Sequence, residues 1–205
     1  MIKPGRLLLI AAPSGAGKTS LVRELLRSHP NLRFSVSYTT RPQRPTEVEG
    51  RDYHFVDAAE FARMAAAGEF LEHAQVFDYA YGTARRNVSA ELAQGHDVLL
   101  EIDWQGAAQV RAAMPEALSI FILPPSRVEL EHRLRNRATD SEAVIQRRLR
   151  SAVGDMSHWR EFAYVVVNDD FTRALREIAE ILAGRGDASR ADRPSLQPLV
   201  AMLLA

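Results

Sequence analysis

Ala11-Ala12-Pro13-Ser14-Gly15-Ala16-Gly17-Lys18-Thr19-Ser20 is preceded by the apolar run Leu7-Leu8-Leu9-Ile10 and followed by Leu21-Val22-Arg23-Glu24-Leu25-Leu26. The first flank reads as a buried strand and the second as one face of a helix. Strand, small-residue loop with glycines, Lys-Thr and helix, in that order, form the context of a phosphate-binding P-loop. Backbone N–H groups of such a loop turn toward phosphate oxygens, and the helix adds the positive end of its dipole. Residues 12–19 (Ala12, Pro13, Ser14, Gly15, Ala16, Gly17, Lys18 and Thr19) are therefore the expected nucleotide cradle. Lys18 is expected to meet the β/γ-phosphates as a point charge, and the Thr19 hydroxyl to ligate a Mg²⁺ that bridges them. Ala12 stands where the pattern G-x-x-x-x-G-K-[ST] asks for its first glycine. A positive φ would cost alanine roughly 1 kcal/mol, so a backbone angle that alanine tolerates is expected there. The bland reading, a small-residue turn that binds nothing, fits the flanks poorly.

The full 205 residues, with 46% hydrophobic content, are enough for one well-packed core and too few for two full domains. Basic and acidic residues balance at 26 each, so no global field draws the chain to nucleic acid or to a membrane. Cysteine is absent, which removes disulfides and thiolate metal sites and agrees with a reducing compartment. The N-terminus lacks a signal-peptide pattern and no apolar run has spanning length, so a cytoplasmic protein is expected. Homo-oligomer formation is left open.

The segments after the first helix change texture. Phe34 to Thr39 alternates with period two, Tyr53 to Val56 reads as a short strand, and Asp57 with Glu60 reads as a capping box for a helix ending near Gly68. Phe70 to Phe77 reads as a strand and Tyr79-Ala80-Tyr81-Gly82-Thr83 as an aromatic turn. Short strands without helical crossovers predict a small, mostly antiparallel subdomain over 35–85. Asp97 to Asp103 is an apolar strand ending in carboxylates, Gly106 to Met114 a helix, Leu118 to Leu123 a buried strand, and Ser126 with Glu129 another cap. An arginine-rich helical pair, broken at Thr139-Asp140-Ser141, precedes a strand at Tyr164 to Val167 and a helix from Thr172 to about Leu182. The last residues, Leu199 to Ala205, read as a short apolar docking turn. The expected fold is α/β: a parallel P-loop core from 1–34, 86–125 and 161–184, the subdomain 35–85, a helical lid 126–160 and a tail 185–205.

Three stretches bear on what accepts the phosphoryl group. Arg41 and Arg44 flank Pro42 and set two guanidinium groups on one side of a rigid turn, suited to a phosphate monoester; two loop arginines are more often simply solvated. Tyr53 and Tyr81 carry hydroxyls able to donate to the same phosphate, although most such tyrosines only pack. Glu72, mid-strand between Leu71 and His73 and expected to face opposite to both, presents two parallel acceptors that match the N1–H and N2–H₂ of guanine, although a lone glutamate is more often a surface residue. Adenine offers an acceptor at N1 and no N2 amine, and in a dry site such a mismatch discriminates by roughly 10⁴-fold.

These residues, with Ser37-Tyr38-Thr39-Thr40-Arg41, Gly50-Arg51-Asp52-Tyr53, Phe70-Leu71-Glu72, Tyr81-Gly82-Thr83, Glu101-Ile102-Asp103-Trp104-Gln105-Gly106, Arg133-Leu134 with Arg137, Arg148-Leu149 and Val167-Asn168-Asp169-Asp170, give a chain that resembles the guanylate kinases from about residue 5 to 183. The resemblance implies Mg²⁺-dependent transfer from ATP to GMP. It implies that Arg41, Arg44, Tyr53 and Tyr81 hold the GMP phosphate and that Ser37, Glu72 and Thr83 read the guanine. Asp103 is left between the guanine edge and Mg²⁺, and Asn168 falls on the ATP side. Ala138 follows Arg137 where glycine is common.

With Lys18 on one flank of the moving phosphoryl group, Arg137 and Arg148 are the expected in-chain arginine fingers on the other. The bland reading of that arginine run is a solvated charged face. The GMP phosphate is itself the nucleophile, so no general base is assigned to His54, His73 or Asp103. The alternatives are a catalytically silent interaction module of the same fold, which would be expected to lose Lys18, Thr19 or the lid arginines, and a P-loop kinase acting on another small molecule. A general GTPase lacks a base-specificity motif here.

Overall fold

The structure, a computed structural model, describes residues 3–136 and 141–205. Arg137 and Ala138, and the break read at 139–140, lie outside the described residues. The elements are β1 (Leu7–Ala11), α1 (Lys18–Ser28), β2 (Leu32–Phe34), β3 (Tyr38–Thr39), β4 (His54–Phe55), α2 (Ala58–Ala66), β5 (Phe70–Val76), β6 (Tyr79–Ala84) and α3 (Arg85–Ala93). They continue with β7 (Asp97–Glu101), α4 (Trp104–Ala113), β8 (Leu118–Leu123), α5 (Arg127–Arg135), α6 (Glu142–Ser157), β9 (Tyr164–Val167), α7 (Phe171–Leu182) and α8 (Gln197–Leu204). A five-stranded parallel sheet runs β2-β7-β1-β8-β9 and a four-stranded sheet runs β4-β3-β6-β5. The second sheet is antiparallel except where β3 pairs with β4. Among the described residues no helix is long and apolar enough to cross a membrane.

The chain divides into two compact units, Met1–Leu9 with Pro30–Ala117, and Ile10–His29 with Leu118–Ala205. In the first, Val98, Leu99 and Leu100 of β7 are buried, and a satellite cluster of Phe61, Met64 and Phe70 packs α2 under β5. In the second, β8 is a continuous apolar run, Ile120-Phe121-Ile122-Leu123, each residue at most 1% exposed, as a strand covered on both faces requires. Each such side chain contributes about 1.5–3 kcal/mol by burial. Phe121 packs on Phe162 with ring centroids 5.0 Å apart. Helix α1 buries Leu21, Val22 and Leu25 and packs on α7, which buries Ala174, Ile178, Ile181 and Leu182 at helical spacing.

Several expectations are corrected. The alternating run over 34–39 is not one strand: β2 ends at Phe34 in one sheet and β3 begins at Tyr38 in the other. The aromatic turn read at 79–83 is strand β6, because the chain reverses earlier, at Phe77 (φ 54°), leaving Val76 opposite Tyr79. The capping box at α2 is half made: Asp57 accepts the Glu60 N–H at 2.8 Å, but the Glu60 carboxylate accepts instead from Arg63 at 2.8 Å. Helix α4 begins at Trp104 rather than Gly106, because Asp103 serves as its N-cap. The terminal docking turn is the helix α8, which buries Val200 and Leu203 and packs on α6.

Candidate active site

In the second unit, β1 ends at Ala11 and the loop enters α1 through Gly17. Gly15 and Gly17 both have φ 93°, a left-handed conformation that costs other residues about 1–2 kcal/mol. Among the described residues Phe77 is the non-glycine with positive φ, so Ala12 has the tolerable backbone expected of it. Both glycines are also fixed by close approach. A Cβ on Gly15 would lie 2.9 Å from Leu134 Cγ, and one on Gly17 would overlap Asn168 Nδ2.

Two side chains brace the loop. Asn168 Nδ2 donates to the Ala16 carbonyl at 2.7 Å in a buried bond. Arg133 donates to the same carbonyl at 3.4 Å and to the Asn168 carbonyl at 3.0 Å, while its Nε donates to Glu129 at 2.7 Å. The N–H groups of the first turn of a helix have no partner within that helix, and the first turn of α1 carries no acidic side chain. The loop therefore offers donors and a positive dipole end to an anion. Lys18 is half-buried and Thr19 exposed at the start of α1. Arg148 lies half-buried on α6.

In the first unit, Glu72 stands opposite Thr83, whose hydroxyl donates to Glu72 Oε1 at 2.6 Å. Glu72 is only 4% exposed and Thr83 fully buried. A register shift between Phe70 and Glu72 breaks the period-two alternation, so Leu71 and Glu72 are both buried while His73 is exposed. Helix α4 closes over the carboxylate. Asp103 accepts from the Gly106 N–H at 2.8 Å and from Gln105 Nε2 at 3.0 Å. A Cβ on Gly106 would lie 3.0 Å from Glu72 Cδ and 3.4 Å from Asp103 Oδ1, so glycine is what lets the helix approach.

A second cluster in the same unit gathers Arg41, Tyr53 and Tyr81. The Arg41 guanidinium sits 5.3 Å from the centre of the Tyr53 ring and donates to Glu47 Oε1 at 2.7 Å. Burial works against the Arg41 charge, but the Glu47 hydrogen bond and charge outweigh it and hold its pKa up. Glu47 in turn is held below its ordinary value, the Arg41 bond and the Arg44 N–H (2.9 Å) outweighing burial. The Tyr53 and Tyr81 rings meet at 5.9 Å. Burial, then the charges of Glu101 and Tyr81, push the Tyr53 hydroxyl from 10 up to about 12, so it is a donor at neutral pH. Arg44 extends into solvent with its side chain 62% exposed.

The structure thus joins Glu72, Thr83 and Asp103 around Gly106, and Arg41, Tyr53 and Tyr81 around Glu47. Ser37 is tied through its backbone, its carbonyl accepting the His54 N–H at 2.9 Å. Sequence reading gives no role to three residues that hold the site together. Glu47 sits in a loop without periodicity. Arg133 is one of many arginines, although Glu129 four residues earlier signals a helical pair. Gly106 reads as the first residue of its helix, where a glycine is ordinary, so its close approach to Glu72 leaves no mark in the sequence.

The guanylate kinase family model matches residues 4–185. A protein named guanylate kinase from Methylococcus capsulatus is 56% identical over 200 residues, covering 98% of each chain. One of the same name from Nitrosococcus oceani is 57% identical over 181 residues, covering 88% of this chain and 89% of its own. The crystal structure of guanylate kinase from Anaplasma phagocytophilum superposes with a TM-score of 0.75 at 36% identity, covering 97% of this chain and 94% of that one. On its sequence, its fold and the braced loop and buried carboxylate just described, the chain belongs to the guanylate kinase family.

Proposed function

We propose that this protein transfers the γ-phosphoryl group of ATP to GMP, giving ADP and GDP. The observation that carries the reading is the buried Glu72 with Thr83 beside it. A buried carboxylate is retained at a cost unless donors meet it, and guanine supplies two, N1–H and N2–H₂. Thr83 orients the carboxylate, and Asp103, held at the start of α4, stands on the guanine side. Arg41, Tyr53 and Tyr81 take the GMP phosphate, Glu47 aligns the arginine, and Arg44 reaches the same group from solvent. Ser37 completes the guanine side.

An oxygen of the GMP phosphate attacks the γ-phosphorus, and the bond to the β,γ-bridging oxygen breaks to release ADP. Little covalent work falls to the protein, so positioning and charge neutralisation dominate. Residues 12–19 cradle the donor phosphates, Lys18 neutralises them, and Asn168 and Arg133 hold the loop in shape. Arg148 and Arg137 supply positive charge from the lid, 126–160, while 35–85 serves as the GMP subdomain and 1–34, 86–125 and 161–184 as the core. The donor set fits Mg²⁺: the exposed Thr19 offers one hard oxygen, and that ion takes its other ligands from phosphate and water. When bound, Mg²⁺ would supply charge neutralisation at the donor phosphates.

The test is an acceptor panel of GMP, IMP and AMP assayed by ADP release, for the wild type and Glu72→Gln. IMP keeps N1–H and lacks the 2-amino group. The wild type is expected to prefer GMP over IMP and to leave AMP at background, and Glu72→Gln to lose most of the GMP preference. A wild-type GMP-to-IMP ratio in the variant would refute the guanine-reading role.

A further inference from the structure

We infer that Gln109 is a positioning residue for guanine selection, acting through Glu72; the inference rests on the base-reading role proposed above. Strand β5 is the last strand of its sheet, and its outer edge would otherwise present unpaired backbone groups. At His73, next to Glu72, the carboxamide of Gln109 takes both. Its Oε1 accepts the His73 N–H at 3.1 Å, and its Nε2 donates to the His73 carbonyl at 2.7 Å. One side chain thus pairs with the strand as a neighbouring strand would.

The spacing gives this clamp its consequence. Gly106 and Gln109 are three residues apart and so are neighbours on one face of α4, whose N-cap is Asp103. That face packs on β5. Asp103 caps the helix, Gly106 meets the Glu72 carboxylate, and Gln109 locks the register of helix against strand at the next residue. Glu72 also lies beside the register shift in β5, where the ladder alone specifies side-chain direction least well. Gln109 supplies the missing constraint from the other side. Gln109 and His73 are both exposed, so their bonds add nothing to the core, and truncation should leave the fold intact.

The experiment compares wild type, Gln109→Ala, Gln109→Glu, Glu72→Gln and the double variant Gln109→Ala/Glu72→Gln. Readouts are KM and kcat for GMP and IMP, KM for ATP, and thermal melting. Gln109→Ala is expected to raise the GMP KM about tenfold and to narrow the GMP-to-IMP ratio several-fold, with kcat, ATP KM and melting temperature little changed. Gln109→Glu keeps the acceptor for the His73 N–H and loses the donor, so it should fall between the two. In the Glu72→Gln background the same Gln109 truncation should have little further effect. Unchanged GMP and IMP kinetics in Gln109→Ala, or effects that add fully in the double variant, would overturn the inference while leaving Glu72 its role. If Glu72→Gln itself leaves the GMP-to-IMP ratio unmoved, the base-reading role fails and this inference with it. Equal rises in the GMP and ATP KM values would mark Gln109 as merely structural and also overturn it.

Discussion

Gly106→Ala sets a gain in helix propensity against a collision with the proposed base-reading carboxylate. The new Cβ would overlap Glu72 Oε2 and lie 3.0 Å from Glu72 Cδ, whereas carbon–carbon contacts are comfortable at about 3.5–4.0 Å. The carboxylate must therefore retreat by roughly 0.5–1 Å. It cannot do so freely, because Thr83 holds Oε1 and the side chain is buried. Forcing it off its rotamer costs about 0.5–1.5 kcal/mol, while replacing glycine within a helix returns about 1 kcal/mol. Stability should thus change by less than ~1 kcal/mol. Recognition should not be so forgiving. Hydrogen bonds to a charged group are worth ~1.5–3 kcal/mol each, and weakening two of them by a total of ~2 kcal/mol lowers kcat/KM for GMP about 30-fold. The assay is coupled ADP release at saturating ATP with GMP varied, alongside thermal melting. A folded Gly106→Ala enzyme with wild-type GMP kinetics would refute the claim that α4 confines Glu72 against the base.

Two further perturbations address the other parts of the site. Asn168→Ala removes the buried bond to the Ala16 carbonyl and should cost ~1–3 kcal/mol of stability, while raising the KM for ATP and leaving that for GMP unchanged; an unaltered ATP KM would show that the loop holds its shape without this brace. For Tyr53 the folded pKa, about 12, lies above the ordinary 10. Between those values the unfolded chain binds fewer protons than the folded one, so the contribution is complete below pH 10 and is lost as pH rises toward 12. Denaturant titrations should show a steeper alkaline loss of stability for wild type than for Tyr53→Phe, and equal slopes would contradict the burial argument.

The architecture was legible because the P-loop announces itself by order: an apolar run, small residues, Lys-Thr, an amphipathic helix. The caps at Asp57 and Ser126, whose side chains bond the N–H three residues on, are legible in the sequence; Asp103 and Asp170 make the same bond but read as the ends of apolar strands. Legibility failed where geometry depends on partners remote in sequence. The break between Phe34 and Tyr38 reflects a crossing between two sheets, which period-two alternation does not reveal. The hairpin at Phe77 carries no glycine or asparagine at its positive φ, so the sequence points to a turn two residues beyond the real one. In the site, residue type raises Glu72 and Arg41 as candidates, and only the run of motifs shared with the guanylate kinases selects them. The residues that hold those two in place, Gly106, Thr83 and Glu47, act across loops and strands, and of these only Thr83 leaves a trace in the sequence.

The most direct measurement of the central claim is the product balance of a reaction started with equal ATP and GMP in the presence of Mg²⁺, resolved by ion-exchange chromatography, with AMP replacing GMP in parallel. ADP and GDP should form in equal amounts, and with AMP no ADP should appear above the acceptor-free control. ADP formed without matching GDP, or with AMP as readily as with GMP, would contradict it.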